Sequence, residues 1–398
     1  MLKKSATAWY PDTVWQRIRD REPLFIVDVR NPDEFEQWRV EGPEAIPTVN
    51  VPYFDLLDPE TDEADIAAGL TDGIREKVVD RLPGDRMVLA VCAKGDTSNY
   101  VAEALRRLDY EAVNLEGGMR AWGEYYYWRP VVEHESMALY QVVRPARGCL
   151  SHVLISDGHA AVFDPGRHLD TYRDLIARAD ARLERVVDTH LHADHLSGGP
   201  ALADASQVPY FLHPYDAIHP MDMVPAELDY RYLREGQMFF IGRASVQALH
   251  IPGHTLGMVA FLVDDRYLLS GDSLFIGSIA RPDLGGKAET WTPLFHRSMQ
   301  RLMGLADETV VLPGHFSQMT EGDEDGLYRH TLGALKAENV GLQRAAADRE
   351  TFERYIMESL PEFPDAYVDI KRINAGLKTT DEDEARELEL GKNVCALG

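Results

Sequence analysis

Cysteine is scarce in this chain. Three residues, Cys92, Cys149 and Cys395, cannot build a disulfide framework for 398 residues. That sets aside the small stapled secreted folds and leaves the thiols free for chemistry in a reducing compartment. Positive charge is short as well: 41 Lys and Arg against 66 Asp and Glu give a net charge of −25. A surface of that sign repels phosphate backbones and anionic lipid, so neither nucleic acid nor a membrane is expected as a partner. No run of about 18 apolar residues occurs, so no spanning helix is expected. No apolar stretch follows Met1-Leu2-Lys3-Lys4-Ser5 either, so no secretory signal is expected, and the cytoplasm is the expected location. Internal repeats and low-complexity tracts are missing too.

What is present is an ordinary apolar fraction, 45%, in a chain long enough for two hydrophobic cores. The first part alternates strand and helix signals. Apolar runs at 24–29, 87–91 and 112–115 read as buried strands, and the apolar residues of 100–108 have helical spacing. Asn31-Pro32-Asp33-Glu34 supplies a cap, a first-turn proline and acidic residues, which start a helix. Such alternation predicts a parallel sheet covered by helices. Trp128-Arg129-Pro130 through 135 breaks the pattern. The chain is therefore divided into 1–130 and 131–398. In the second part strands come in succession, at 139–144, 151–156 and 160–164. A helix at 171–179, a strand at 185–188 and a hairpin over 259–270 follow, with a helical extension from about 327.

Two constellations carry chemistry. In Val91-Cys92-Ala93-Lys94-Gly95-Asp96-Thr97-Ser98 a thiol ends a strand and precedes a helix, with Gly95 allowing a sharp turn. Converging N–H groups and the helix N-terminus favour an anion there. Together with Lys94 they can lower a thiol pKa from its usual ~8.5 and hold a persulfide anion. The competing reading is a buried structural cysteine. The second constellation is Thr189-His190-Leu191-His192-Ala193-Asp194-His195, followed by Gly253-His254, Gly271-Asp272 and Gly314-His315. Four strand-end sites in order, each aiming metal-ligand side chains, point to a metal centre. The remaining histidines lack such partners in sequence.

The first constellation resembles the active loop of rhodanese-type sulfurtransferases. Asp28-Val29-Arg30 is similar to an early Asp-x-Arg of that family, and Gly117-Gly118-Met119-Arg120-Ala121-Trp122 to its closing Gly-Gly-x-x-x-Trp. Residues 40–46 depart from the usual Gly-His-Ile-Pro-Gly-Ala. The resemblance implies that Cys92 carries sulfur as a persulfide, with Lys94, Gly95 and Thr97 binding the substrate and Asp28 and Arg30 supporting the loop. The second constellation resembles the metallo-β-lactamase fold over roughly 137–320. Within it, Ala280-Arg281-Pro282-Asp283-Leu284 is similar to the Gly-Arg-x-Asp of persulfide dioxygenases, with Ala280 in place of the glycine.

The expected fold is thus α/β: a rhodanese-like parallel sheet with flanking helices, then a metallo-β-lactamase αββα sandwich. By the second resemblance His190, His254 and Asp272 bind one Fe(II) per chain, with zinc an alternative in isolated protein. His192, Asp194, His195 and His315 surround that set or form a second metal site. Arg281 either binds the anionic end of the substrate or forms a structural pair with Asp283. The implied activity is oxidation of a low-molecular-weight thiol persulfide to sulfite with O₂, joined to sulfane-sulfur transfer through Cys92. Thiosulfate and sulfite are the further small-molecule partners, and the sequence leaves room for a homo-oligomer. The alternatives are a glyoxalase II-like zinc thioester hydrolase and a non-catalytic first half that senses persulfide or docks.

Overall fold

A computed structural model describes residues 7–58, 60–62 and 65–397. The chain forms two compact units. One holds the chain up to Tyr125 with Arg144–Arg147 and Leu390–Lys392; the other holds Tyr126–Val143, Gly148–Glu389 and the residues from Asn393.

The first unit is built on a five-stranded sheet in the order Ala8–Trp9, Ala112–Leu115, Met87–Val91, Leu24–Asp28, Thr48–Asn50. Every pairing in it is parallel. The apolar runs become strands buried on both faces, which is what a parallel sheet requires. Helix Asp96–Arg107 covers the sheet with Val101, Ala102, Ala104 and Leu105, and helix Ile66–Lys77 packs with Leu70 and Ile74. Helix Pro32–Gln37 starts where the cap signal put it, with the Glu34 carboxylate accepting the Asn31 N–H at 3.1 Å. Asp28 pairs with Val91 in register. The strand ends that carry Arg30 and Cys92 therefore lie side by side, at the carboxyl edge where parallel sheets place their sites.

The second unit is a sandwich of two sheets. The seven-stranded one runs Arg231–Tyr232, Tyr210–Leu212, Arg182–Val187, His159–Phe163, Cys149–Ser156, Met137–Arg144, Tyr127–His134. The six-stranded one runs Met238–Ile241, Ala244–His250, Val259–Val263, Tyr267–Gly271, Val310–Pro313, His330–Thr331. Leu139, Leu154, Phe163 and Val187 of the first sheet meet Val246, Val259, Phe261 and Leu312 of the second in one core. Helices Asp170–Arg178 and Gly199–Ser206 pack outside the first sheet with Tyr172, Leu175 and Leu202. Helices Ala288–Met303, Leu332–Glu338, Val340–Ala347 and Arg349–Ser359 pack outside the second. The layering is αββα.

Two segments differ from the sequence reading. The stretch around Pro130 is an edge strand, Tyr127–His134, whose register shifts between Pro130 and Val132. An edge tolerates the missing N–H, and the bulge absorbs it. The C-terminal extension opens with a short strand, His330–Thr331, antiparallel to Val310–Pro313, before its first helix at Leu332. Among the described residues no helix is long and apolar enough to cross a membrane.

The candidate sulfur loop and metal centre

Cys92 directly follows strand Met87–Val91, and Gly95, at φ +93°, is the N-cap of helix Asp96–Arg107. The thiol is buried, and its Sγ accepts the Gly95 N–H at 3.1 Å, with the Ser98 hydroxyl also 3.1 Å away. Ser98 Oγ lies 2.7 Å from Asn114 Oδ1, and Asn114 Nδ2 donates to Gly95 O. These contacts join thiol, helix start and neighbouring strand. Lys94 is exposed and Thr97 half-buried. Neither bonds the thiol among the described residues; the donor aimed at sulfur is the Gly95 N–H, beside the Ser98 hydroxyl, whose single hydrogen is shared with Asn114 Oδ1. Gly118, at φ +58°, lies so close that a Cβ there would sit 2.4 Å from Cys92 O. Met119 and Arg120 donate their N–H groups to Cys92 O and Ala93 O. The Gly-Gly signature is thus a docking edge for the loop. Arg30 forks onto Asp28 at 2.7–3.2 Å and donates to Glu34 O and Trp38 O, all away from the sulfur.

In the second unit four strand ends deliver the metal-ligand side chains. Gly271 pairs with Pro313 in register, so Asp272 and His315 leave adjacent parallel strands together. His190 Nε2 lies 3.9 Å from Asp272 Oδ2, and His254 Nε2 lies 3.6 Å from the same oxygen. All three atoms are buried with no hydrogen-bond partner. Three converging, unpaired polar atoms at full burial would be costly in a metal-free fold, so this donor set fits a metal ion. The other ring nitrogens are anchored: His190 Nδ1 faces Thr189 Oγ1 at 3.0 Å and His254 Nδ1 faces Arg281 O at 2.8 Å. Those contacts leave Nε2 bare on both rings, the arrangement a metal ligand needs. Burial lowers the pKa of both rings, reinforced at His190 by His192 and opposed at His254 by Asp272.

The remaining members lie around this set. His192 turns Nε2 to Asp164 at 3.1 Å and leaves a buried Nδ1 unpaired, a further open donor. His315 lies between two carboxylates: Nδ1 is hydrogen-bonded to Asp272 Oδ1 at 2.6 Å, and Nε2 is 2.8 Å from Asp194 Oδ2 without a hydrogen bond to it. His195 Nδ1 faces Asp194 Oδ1 at 3.2 Å. Burial opposes charge on His195 and His315, but the carboxylates prevail and both rings titrate well above the usual range. Two cysteines that no motif singled out also belong here. Cys149, Asp194, His195 and His315 gather their donor atoms within 4.8 Å of one another, as do Asp194, Asp272, His315 and Cys395. Burial pushes the Cys149 thiol up, yet His195 and His315 bring it down to about 7.

Arg281 departs from its expected place. It is fully buried, with Nε and Nη2 on Asp283 at 2.7 and 2.8 Å and the other N–H groups on Pro361 O, Glu362 O and Val394 O. All five donors of the guanidinium are spent. Arg281 holds the C-terminal segment and, through its own carbonyl, His254; none of its donors is left for a substrate.

Several contributors carry no motif. Asp216 accepts the Leu191 and Gly257 N–H groups at 2.9 and 2.7 Å and the Thr255 hydroxyl at 2.7 Å, tying the His190 loop to the His254 loop. Asn374 donates to His192 O and His195 O and accepts the Ser197 N–H. Glu389 accepts the Leu196 N–H at 2.8 Å. Lys371 is buried on helix Ala366–Asn374. The one sequence signal for this helix is its spacing: Tyr367, Ile370, Lys371 and Asn374 share a buried face, which puts a lysine and an asparagine where apolar residues are expected.

Comparison with known proteins agrees with this architecture. Residues 10–125 match the rhodanese-like domain family, and residues 144–315 match the metallo-β-lactamase superfamily. An uncharacterised protein of Mycobacterium leprae is 32% identical over 190 residues, 42% of this chain and 84% of that protein. A hydroxyacylglutathione hydrolase of Acidiphilium cryptum is 28% identical over 240 residues, 60% of this chain and 90% of that protein. The crystal structure of a metallo-β-lactamase from Staphylococcus aureus superposes with a TM-score of 0.52 at 24% identity, covering 61% of this chain and 73% of that one. Sheet order, strand-end ligands and these matches converge on one conclusion: the chain joins a rhodanese-like domain to a metallo-β-lactamase domain and belongs to the metallo-β-lactamase superfamily.

Proposed function

We propose that the protein oxidises a low-molecular-weight thiol persulfide to thiol and sulfite, and moves sulfane sulfur through a Cys92 persulfide. The observation that carries this reading is the pairing, in one chain, of a buried thiol held by Gly95 N–H and Ser98 with an open set of two imidazoles and one carboxylate. That set, His190, His254 and Asp272, matches the ligand type that leaves positions free on non-haem iron. Fe(II) bound there would supply the one-electron chemistry that O₂ requires. The overall change balances as RSSH + O₂ + H₂O → RSH + SO₃²⁻ + 2H⁺. The chain's own residues hold the ligands: Thr189 and the Arg281 carbonyl fix both rings, and Asp216 ties their loops. His315 keeps one Asp272 oxygen occupied and so presents the other, Oδ2, to the open set.

In the first unit, Cys92 thiolate attacks the outer sulfur of thiosulfate and releases sulfite, and the persulfide anion remains on Sγ. A thiolate then takes that sulfur as RSS⁻ and returns Cys92 to its starting form. Gly95 N–H stabilises the thiolate on Sγ to which Cys92 returns. The test is an oxygen-electrode trace with glutathione persulfide on anaerobically prepared, iron-loaded protein, with metal analysis beside it. O₂ uptake with one iron per chain is expected; two zincs with no uptake on iron loading would overturn it.

A second reading is favoured by the hydroxyacylglutathione hydrolase relative and by the complete set His192, Asp194, His195 and His315. It is a thioester hydrolase using two zinc ions to generate hydroxide. Thioester cleavage without O₂ uptake is its signature.

A further inference from the structure

A cavity of about 160 Å³ has a wall that includes Leu191, Thr255, Leu256, Trp291 and Lys371. Leu191 follows His190 and Thr255 follows His254 in the chain, so the cavity borders the two loops that carry those ligands. Its lining is largely apolar, and Asp216 in the wall already accepts three hydrogen bonds. Lys371 differs. Its side chain is 3% exposed, and its ammonium makes no hydrogen bond or ion pair among the described residues. Burial lowers its pKa, with Asp216 and Cys395 opposing. It shares the cavity wall with Leu191 and Thr255, the chain neighbours of His190 and His254.

A buried ammonium with no hydrogen-bonded partner is costly, and the Asp216 carboxylate in the same wall offsets the cost only in part, since burial still lowers the Lys371 pKa. Proteins seldom keep such a group unless something arrives to pair with it. Its carrier, helix Ala366–Asn374, lies outside the residues matched to the metallo-β-lactamase superfamily, so this lysine belongs to the C-terminal extension of this chain. The same helix secures the His190 loop through Asn374, which fixes the lysine relative to the ligands. Arg281 has no donor left for the task.

We propose that Lys371 is the substrate's anion receptor: it binds the carboxylate of a small thiol whose sulfur end lies at the His190, His254 and Asp272 set. This deepens the sulfur-substrate reading above and rests on it. About 160 Å³ is the space of roughly five water molecules. The cavity therefore suits a carboxylate on a short arm, in the manner of 3-mercaptopropionate. The apolar wall contacts the arm's methylenes, and the ammonium meets the charge where water is excluded. Lys287, exposed at the rim of the same cavity, adds positive charge at the entrance.

The test is calorimetric binding to the full-length protein as purified. The ligands are 3-mercaptopropionate, its neutral amide 3-mercaptopropionamide, and sulfite alone. Wild-type protein is expected to bind the acid at least tenfold more tightly than the amide. Lys371→Met should bring that ratio to about one with amide binding unchanged, and Lys371→Arg should keep most of it. Metal content and thermal midpoint are followed in each variant, and Lys371→Gln replaces Lys371→Met if the latter does not fold. Equal binding of acid and amide by wild type, or a preference retained without Lys371, overturns the proposal. So does a Lys371 dependence seen for sulfite and not for the thiol acid. A Lys371-dependent preference in a protein that takes up no O₂ with any persulfide would keep the receptor and discard the oxidation.

Discussion

His152 shows how much a single buried group decides. It sits on strand Cys149–Ser156, 2% exposed, with Nε2 3.4 Å from the Gln141 amide. Burial lowers its pKa to about 4, against a weaker pull from Asp164. Above pH ~6.5 the ring is neutral in the folded and unfolded chains alike and has no pH-linked effect. As pH falls from ~6.5 towards 4, the unfolded chain takes up a proton that the native state refuses, so stability falls. The full difference is about 3 kcal/mol, reached below the folded pKa. Denaturant unfolding at pH 7.5 and 4.5 should therefore show wild type losing about 2 kcal/mol more than His152→Gln over that interval. Equal losses would mean that the ring is protonated in place. Arg281 makes the complementary point. Its sequence context leaves open a substrate-binding arginine or a pair with Asp283, and the Asp283 carboxylate together with three distant backbone carbonyls takes all its donors.

At the scale of elements, the metal loop is held from the far end of the chain. Asn374 and Glu389 together satisfy His192 O, His195 O and the Leu196 and Ser197 N–H groups. Asn374→Ala would strip three of those partners at a buried site, at a cost of about 2–3 kcal/mol. The expected readout is a lower thermal midpoint by several degrees and faster loss of metal to a chelator, with Cys92 sulfur loading unchanged. Unchanged metal retention would show that the loop holds itself. This dependence explains what could be read from the sequence. The buried runs at 24–29 and 87–91 and the four strand-end clusters of metal-ligand residue types, three of them beside a glycine, were legible because each encodes its own local geometry. Asp216, Asn374 and Lys371 were not, because each acts on backbone or space contributed by residues far away in sequence. The strand around Pro130 was hidden for a related reason: proline argues against a strand unless the neighbouring edge is known to be open.

For the molecule as a whole, the proposed function gives the two sites separable tasks. The Cys92 sulfur is contacted from its own loop by Gly95 and Ser98, and the histidine and aspartate set is held around its own loops by Asp216 and the C-terminal helices. On that reading a soluble thiol persulfide is the species both handle, one making it and the other consuming it. Wild-type protein given thiosulfate and glutathione should therefore consume O₂ slowly with no persulfide added. Cys92→Ser keeps the loop's size and removes the sulfur nucleophile. It should lose the thiosulfate-dependent uptake and still oxidise supplied glutathione persulfide at the wild-type rate. The same residues permit the reverse flow, in which sulfite from the metal site draws sulfur from Cys92 persulfide as thiosulfate. The variant should then stop making thiosulfate and accumulate sulfite in its place. If Cys92→Ser lowers both oxidations equally while metal content and thermal midpoint stay at wild-type values, the thiol takes part in the oxidation itself and the division of labour is wrong.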